Sequence, residues 1–447
     1  MSIARELAQR VCAMRYAGLP PAAIEQAKIC ILDTVGVTLA GSREDAVRLA
    51  ARALGAGTGP SLIFGTSVRV SPLAAARLNG TASHALDFDD SNNRAGLHPS
   101  APVLSALFAL ADDIGCSGSE FITACVAGHE VSSKLAFGLN FHHYTKGWHP
   151  AATLGVFGTA AACTRLMGLN EKQTTTALAI AASLSSGIKA NVGTMMKPMH
   201  IGHCASNGLY AALLARENYT AAGVDIFEHD HGFFNVYNGL CNYDASKILP
   251  GWARPLEVVS GISIKQYPCC GSIHAPIDAL LMLARRHDLK PAQVMRIDAW
   301  IHARRLAHTD RPDPLSALDA KFSIQYCLAR ALEDRKIVLE QFEGDAFRDK
   351  HIRALMARVH AAAASEEQFR NGNADGAEVK VTLNDGTVHT AKLEDREPLS
   401  RLSLEEKFLN CASRACSATC ARKLLTSITR FGEIADVREL TAEIASG

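Results

Sequence analysis

NGTASHALDFDDSNNRAGLHPSAPVLSALFALADD, residues 79–113, sets a dense knot of acids and imidazoles (His84, Asp87, Asp89, Asp90 and His98) between two apolar, small-residue segments. The segment before it carries Ala74, Ala75, Ala76, Gly80, Ala82 and Ala85 and reads as a helix from Pro72 to Asp87. The segment after it opens with His98-Pro99-Ser100-Ala101-Pro102 and reads as an apolar helix that ends near Gly115. Buried carboxylates are costly unless paired, so the knot is a metal site, a proton-transfer and anion-binding site, or a solvated loop between two helices.

The flanking chain extends the helical pattern. Pro20-Pro21 opens a helix in which Ile24, Ala27, Ile31, Val35 and Leu39 recur at three- and four-residue steps, and Gly41 can stop it. Further helices are expected over 44–55, 118–139, 151–167, 171–187 and 203–218, with loop and turn over 227–245. Gly155 and Gly158 each cost about 1 kcal/mol in a helix interior, so they mark places where helices approach closely.

The character changes near Ile262. Val294–His302 alternates as a strand does, with Ile297, Ala299 and Ile301 on one face. Glu378–Leu383, Asn-Asp-Gly and Thr387–Leu393 spell a β-hairpin, because Asp-Gly accepts the positive φ of a tight turn. Amphipathic helices are expected at 275–288, 320–333 and 347–362. The fold class is therefore mainly α: a large all-helical domain built from both chain ends, 1–261 and 398–447, plus a smaller α+β domain, 262–397, inserted as a lid.

Bulk composition narrows the function. The 447 residues are 48% hydrophobic and 20% charged, enough for a sizeable core and two domains. A net charge of +1 with no basic block argues against nucleic acid and anionic membrane. No segment has the roughly 18 apolar residues of a membrane span, and the amphipathic N-terminus lacks the core of a signal peptide. The 13 scattered cysteines, an odd count, suit free thiols in a reducing cytoplasm. Residues 55–60, GAGTGP, follow no strand and precede no Lys-Ser/Thr, so they fail both nucleotide-loop patterns.

Four polar residues directly precede proline: His98, His149, Lys197 and Tyr267. Such residues are biased to extended backbone just ahead of helix N-termini, where free N–H groups favour anions. Asp87 and Asp89, alternate residues of an extended chain, can converge as an acid/base pair. His84 and His98 beside them could instead hold a divalent metal, though without a recognised spacing. The residues taken alone describe a cofactor-free acid/base enzyme for a small polycarboxylate.

The chain resembles the MmgE/PrpD family, which includes 2-methylcitrate dehydratase, cis-aconitate decarboxylase and iminodisuccinate epimerase. The resemblance rests on ordered motifs: NGTASHALDFDD, HPSAPVL, AGHEV, KGWHPAATLGVFGTAAA, KPMHIGHCASNGLYAALLA, GFF, IKQYPCCGSIHAPIDALL, RPDPLSALDAKFSIQY and PLSRLSLEEKF. It implies a homodimer with no required cofactor or metal. By motif it implies catalytic roles for Asp87 of DFDD, His98 of HPS, His149 of GWHP and Tyr326 of FSIQY. It implies substrate contacts from Ser91, Lys197 and Lys265, the last two as point charges for carboxylates, with His98 moving a proton next to a carboxylate.

Three features depart from decarboxylase-like members. Cys270 stands where they carry a histidine, Ser91 stands where Thr is common, and the loop before His98 is one residue longer. Arg94 in that loop, His200 and Cys270 join the expected substrate contacts. These departures place a 2-methylcitrate dehydratase-type lyase first. An imino- or amino-dicarboxylate epimerase and a cis-aconitate decarboxylase-like carboxy-lyase are the alternatives.

Overall fold

The computed structural model describes residues 2–55, 57–223, 225–365, 375–394 and 399–447. The chain divides into two compact units, Met1–Ile264 with Ser400–Gly447, and Lys265–Leu399. Ile262 and Ser263, expected to open the smaller domain, instead pair antiparallel with Asn92 and Ser91 and so belong to the helical unit. The expected return at 398 lies outside the described residues.

The first unit is helical. Its long helices are Pro21–Gly41, Pro72–Ala85, Ser100–Ile114, Gly118–Leu139, Gly155–Leu166, Glu171–Leu184 and Met196–Arg216. Start signals are local: Ser71 accepts from Ala74 N–H, and Ser117 and Glu120 form a capping box. Both chain ends share one core, where the Phe108 and Phe121 rings (4.7 Å between centroids) meet Phe431, 5.1 Å from Phe121. The C-terminal helix Arg401–Ala412 also sends Lys407 inward, where it pairs with Asp33 at 2.5 Å and donates to the Phe88 carbonyl at 2.8 Å. That contact braces the Asp-Phe-Asp-Asp turn from below.

The helices at the centre approach through glycine. The 72–85 and 196–216 helices pack directly. A Cβ added at Gly202 would lie 2.1 Å from the Arg77 carbonyl oxygen and 2.3 Å from Thr81 Oγ1. The same logic joins Gly158 to Gly128, where the added carbon would meet a carbonyl oxygen at 2.5 Å.

Three expectations are corrected here. The 151–167 helix is two pieces, Pro150–Thr153 and Gly155–Leu166. Lys197 lies not in an extended loop but in the first turn of the helix Met196–Arg216; Pro198 is tolerated there because first-turn N–H groups lack intrahelical partners anyway. Within 227–245, Phe233–Asn238 is a short helix that buries Phe233 and Phe234.

The second unit holds a four-stranded sheet in the order 359–363, 294–301, 377–383, 388–393. The first pair is parallel and the others antiparallel. Gly386 takes φ +87° in the hairpin turn, as the Asp-Gly signal requires. The helices His274–Arg286 and Ile324–Asp334 pack on this sheet. The expected helix 347–362 is divided: Lys350–Met356 is helical, but Val359–Ala363 is a strand. Its alanines favour helix locally, yet pairing with Ile297–Ile301 satisfies the backbone and buries Val359.

Candidate active site

The knot between Pro72–Ala85 and Ser100–Ile114 is buried, not a solvated loop. His84, Asp87, Asp89 and Asp90 are each 2% exposed or less. The 72–85 helix ends with His84 in its last turn, and Asp87 then adopts φ +52°. That left-handed conformation is uncommon outside glycine, asparagine and aspartate, and it reverses the chain so that Asp89 turns back onto His84. His84 Nδ1 lies 2.8 Å and 2.9 Å from the two Asp89 carboxylate oxygens. His98 Nδ1 lies 3.2 Å from Asp89 Oδ2 and 2.8 Å from the Asp90 carbonyl oxygen. The His84 and His98 rings meet edge-on, 4.8 Å between centroids.

Two further elements complete the cluster. The turn before Pro150 places His149 5.9 Å from the His84 ring. The helix Met196–Arg216 adds Lys197, whose ammonium makes an ion pair with Asp87, and His200, whose Nδ1 lies 3.3 Å from His149 Nδ1. Asp87, His98, His149, Lys197 and His200 are thus brought together within one unit, with the His98 side chain left 19% exposed.

Burial sets the charge states. It lowers His84 to about 4, with Lys197 adding to the effect against the opposing Asp89. It holds His149 well below its ordinary value, again with Lys197 contributing. His200 falls to about 4 by burial and the neighbouring His203 and Lys197. For Asp89, burial pushes upward, but the two imidazoles outweigh it and keep the carboxylate well below its usual range. Asp90 goes the other way: burial, reinforced by Asp33 and Asp89, raises it to about 7. Its carboxyl is hydrogen-bonded to the Ser100 hydroxyl, which also lies 2.8 Å from His129 Nε2.

Among the described residues, two groups have donor atoms within 4.8 Å of one another and the residue types of a metal site: Cys30, Asp90 and His129, and His84, Asp89 and His98. Hydrogen bonds join Asp90 to His129 in the first group and Asp89 to both histidines in the second. Ser100 bridges Asp90 and His129, and Asp89 faces both Nδ1 atoms.

The other expected residues are placed differently. Ser91 lies in the short strand paired with Ser263, and its hydroxyl donates to Asn93 Oδ1 at 3.2 Å. The Arg94 guanidinium sits over the Phe137 ring at 5.4 Å and 3.9 Å from Glu257. Lys265, Cys270 and Tyr326 belong to the second unit. Lys265 is buried there, and Cys270 donates its backbone N–H to the Lys321 carbonyl at 2.9 Å. Tyr326 is fully buried, with its hydroxyl donating to the Gln341 carbonyl and accepting from Arg330 Nε at 3.1 Å. Three neighbours carry no role in the family resemblance: His84, Asp89 and Asp90. Their signal was the acid–imidazole density itself, which marks the place without assigning parts.

The N-terminal domain of the MmgE/PrpD family matches residues 5–245, and its C-terminal domain matches residues 267–430. The chain belongs to the MmgE/PrpD family. Among curated members, it is 29% identical to cis-aconitate decarboxylase of Homo sapiens, over 98% of this chain and 94% of that protein. It is 27% identical to the Mus musculus protein of the same name, over 98% and 93%. A probable 2-methylcitrate dehydratase of Saccharomyces cerevisiae is 23% identical over 82% of this chain and 75% of that protein. Within the MmgE/PrpD family, these likenesses favour the decarboxylase alternative over the dehydratase-type reading that the motif departures put first. No helix among the described residues is long and apolar enough to cross a membrane.

Proposed function

We propose that this MmgE/PrpD lyase removes CO₂ from a small unsaturated tricarboxylate of the cis-aconitate kind by proton transfer from its own side chains. Lys197 attracts a substrate carboxylate as a point charge. His98 takes up a proton at Nε2 from water and delivers it to the substrate carbon. The bond to one carboxylate breaks, its electron pair re-forms the double bond one carbon over, and CO₂ leaves. His149 and His200, kept neutral by burial, orient the acid without adding charge.

The observation that supports this reading is His98: its Nδ1 is anchored on Asp89 and the Asp90 carbonyl while its side chain keeps an open edge beside the buried cluster. A general acid/base must be both held and reachable. The second reading, loss of water from a 2-methylcitrate-like acid, draws on the likeness to the yeast relative and uses the same His98. Incubation of purified protein with cis-aconitate and, separately, with 2-methylcitrate separates them. CO₂ release from the first supports the decarboxylase reading. Loss of water from the second with no CO₂ from the first transfers the proposal to the dehydratase. The homodimer implied by the family is likewise proposed, with light scattering of the purified chain as its test.

A further inference from the structure

We propose that Asp89 is the positioning residue of this site, fixing His84 and His98 together as Nδ1–H tautomers, and that the Nε2 lone pair left on His84 receives a hydrogen from the bound acid. The inference deepens the proton-transfer reading above and rests on it.

The argument is a count of hydrogens. An ionised carboxylate has acceptors only. His84 Nδ1 faces both Asp89 oxygens, so it carries the hydrogen. His98 Nδ1 faces an Asp89 oxygen and the Asp90 carbonyl oxygen, two acceptors, so it carries one too. In the neutral ring the other nitrogen is then a lone pair. Free imidazole has no such fixed choice; here one buried anion makes it for two rings at once. Asp89 is suited to this because its carboxylate is fully buried and the pair of imidazoles keeps it ionised.

The second half rests on His84 Nε2. His84 is 1% exposed, and its Nε2 is buried with no hydrogen-bond partner among the described residues. Buried polar atoms in folded proteins are nearly always paired, and exceptions call for an explanation. This one points away from Asp89, in a ring that neighbours both His98 and His149. The ammonium of Lys197 is directed to Asp87. An acceptor left open beside a carboxylate-binding lysine calls for a ligand that brings a hydrogen of its own: a hydroxyl, a protonated carboxyl or an acidic C–H.

The test uses the full chain labelled with ¹⁵N-histidine at about pH 7, with His84→Asn and His98→Asn to assign the rings. Both should show a protonated Nδ1 and an unprotonated Nε2, and Asp89→Asn should abolish that pattern in both. A hydrogen found on His84 Nε2, or spectra unchanged in Asp89→Asn, overturns the inference. His84→Asn keeps an amide N–H for Asp89 but removes Nε2. With cis-aconitate as the probe it should lose kcat about 100-fold while its melting temperature stays near that of the parent. Full activity in His84→Asn overturns the second half. If the parent protein leaves cis-aconitate untouched, the proposed function falls, and the tautomer measurement still decides the role of Asp89.

Discussion

His149 Nδ1 and His200 Nδ1 face each other at 3.3 Å. Only one of them can hold the shared hydrogen, so the contact exists only while at least one ring is neutral. Burial keeps both neutral near pH 7 and does the same for His84, His129 and His143, which lie at about 4. In the unfolded chain these rings titrate near 6.5. Between about 4 and 6.5 the unfolded state therefore binds more protons, and stability falls as pH falls. Asp90 has the opposite sign: raised to about 7, it binds its proton more readily in the fold and contributes stability as pH drops. Burial raises Glu130 and Glu228 as well, with the same sign as Asp90, while the lowered Asp89 acts with the histidines; the five histidines outweigh the three raised carboxyls. Calorimetry should show the melting temperature dropping steadily from pH 7 to pH 4; a flat or rising curve contradicts this account of the cluster.

Lys197 and Asp87 form a buried pair, and the two halves of the pair do different work. Lys197→Met leaves the Asp87 charge in the interior, a change that costs about 3–5 kcal/mol in such pairs. Adding Asp87→Asn removes that charge, and asparagine tolerates the left-handed backbone at φ +52°. The double variant should recover most of the lost stability in urea melts and none of the lost turnover. Recovery of both would show that the pair is structural.

Asp90, Ser100 and His129 carry a proton that the hydrogen bonds locate. His129 Nδ1 lies 2.8 Å from the Cys125 carbonyl and must donate to it, so neutral His129 needs a donor at Nε2. The Ser100 hydroxyl can supply it only if its oxygen is met by a protonated Asp90. Asp90→Asn, a neutral isostere, should therefore leave stability within about 1 kcal/mol. Ser100→Ala should cost more, because it strands two buried groups. A larger loss for Asp90→Asn in the same melts would put a negative charge on Asp90 instead.

Gly202 holds the 196–216 helix against the 72–85 helix, and so holds Lys197 and His200 against Asp87 and His84. A Cβ there would strike backbone oxygen at 2.1 Å, which no rotamer change can relieve. Gly202→Ala should lower stability by about 3 kcal/mol and reduce turnover with it. Gly57, which meets nothing within 4 Å, is the control and should accept alanine without loss.

Much of this arrangement was legible in the sequence because it is written in local signals. Pro21, Ser71 and Ser117 mark helix starts, Asp385-Gly386 marks the hairpin, and DFDD with the His-Pro pairs marks the site. What escaped depends on partners distant in the chain. Val359–Ala363 reads as helix until the 294–301 strand lies beside it. Tyr326 carries a motif, but whether its hydroxyl is spare depends on Gln341 and Arg330. Arg94 is close to His98 in sequence, but its partners, Glu257 and Phe137, are distant in the chain. Asp89 reads as the partner of Asp87 on an extended chain, until the positive φ at Asp87 turns Asp89 back onto the histidines instead.

The central claim is that His98 moves a proton on a small tricarboxylate. Proton NMR of the purified chain with cis-aconitate in D₂O tests it most directly. The account predicts a five-carbon unsaturated dicarboxylate carrying deuterium at the newly protonated carbon, formed by the parent protein and at least about 100-fold more slowly by His98→Asn. Unchanged cis-aconitate, or equal rates from the two proteins, would contradict it.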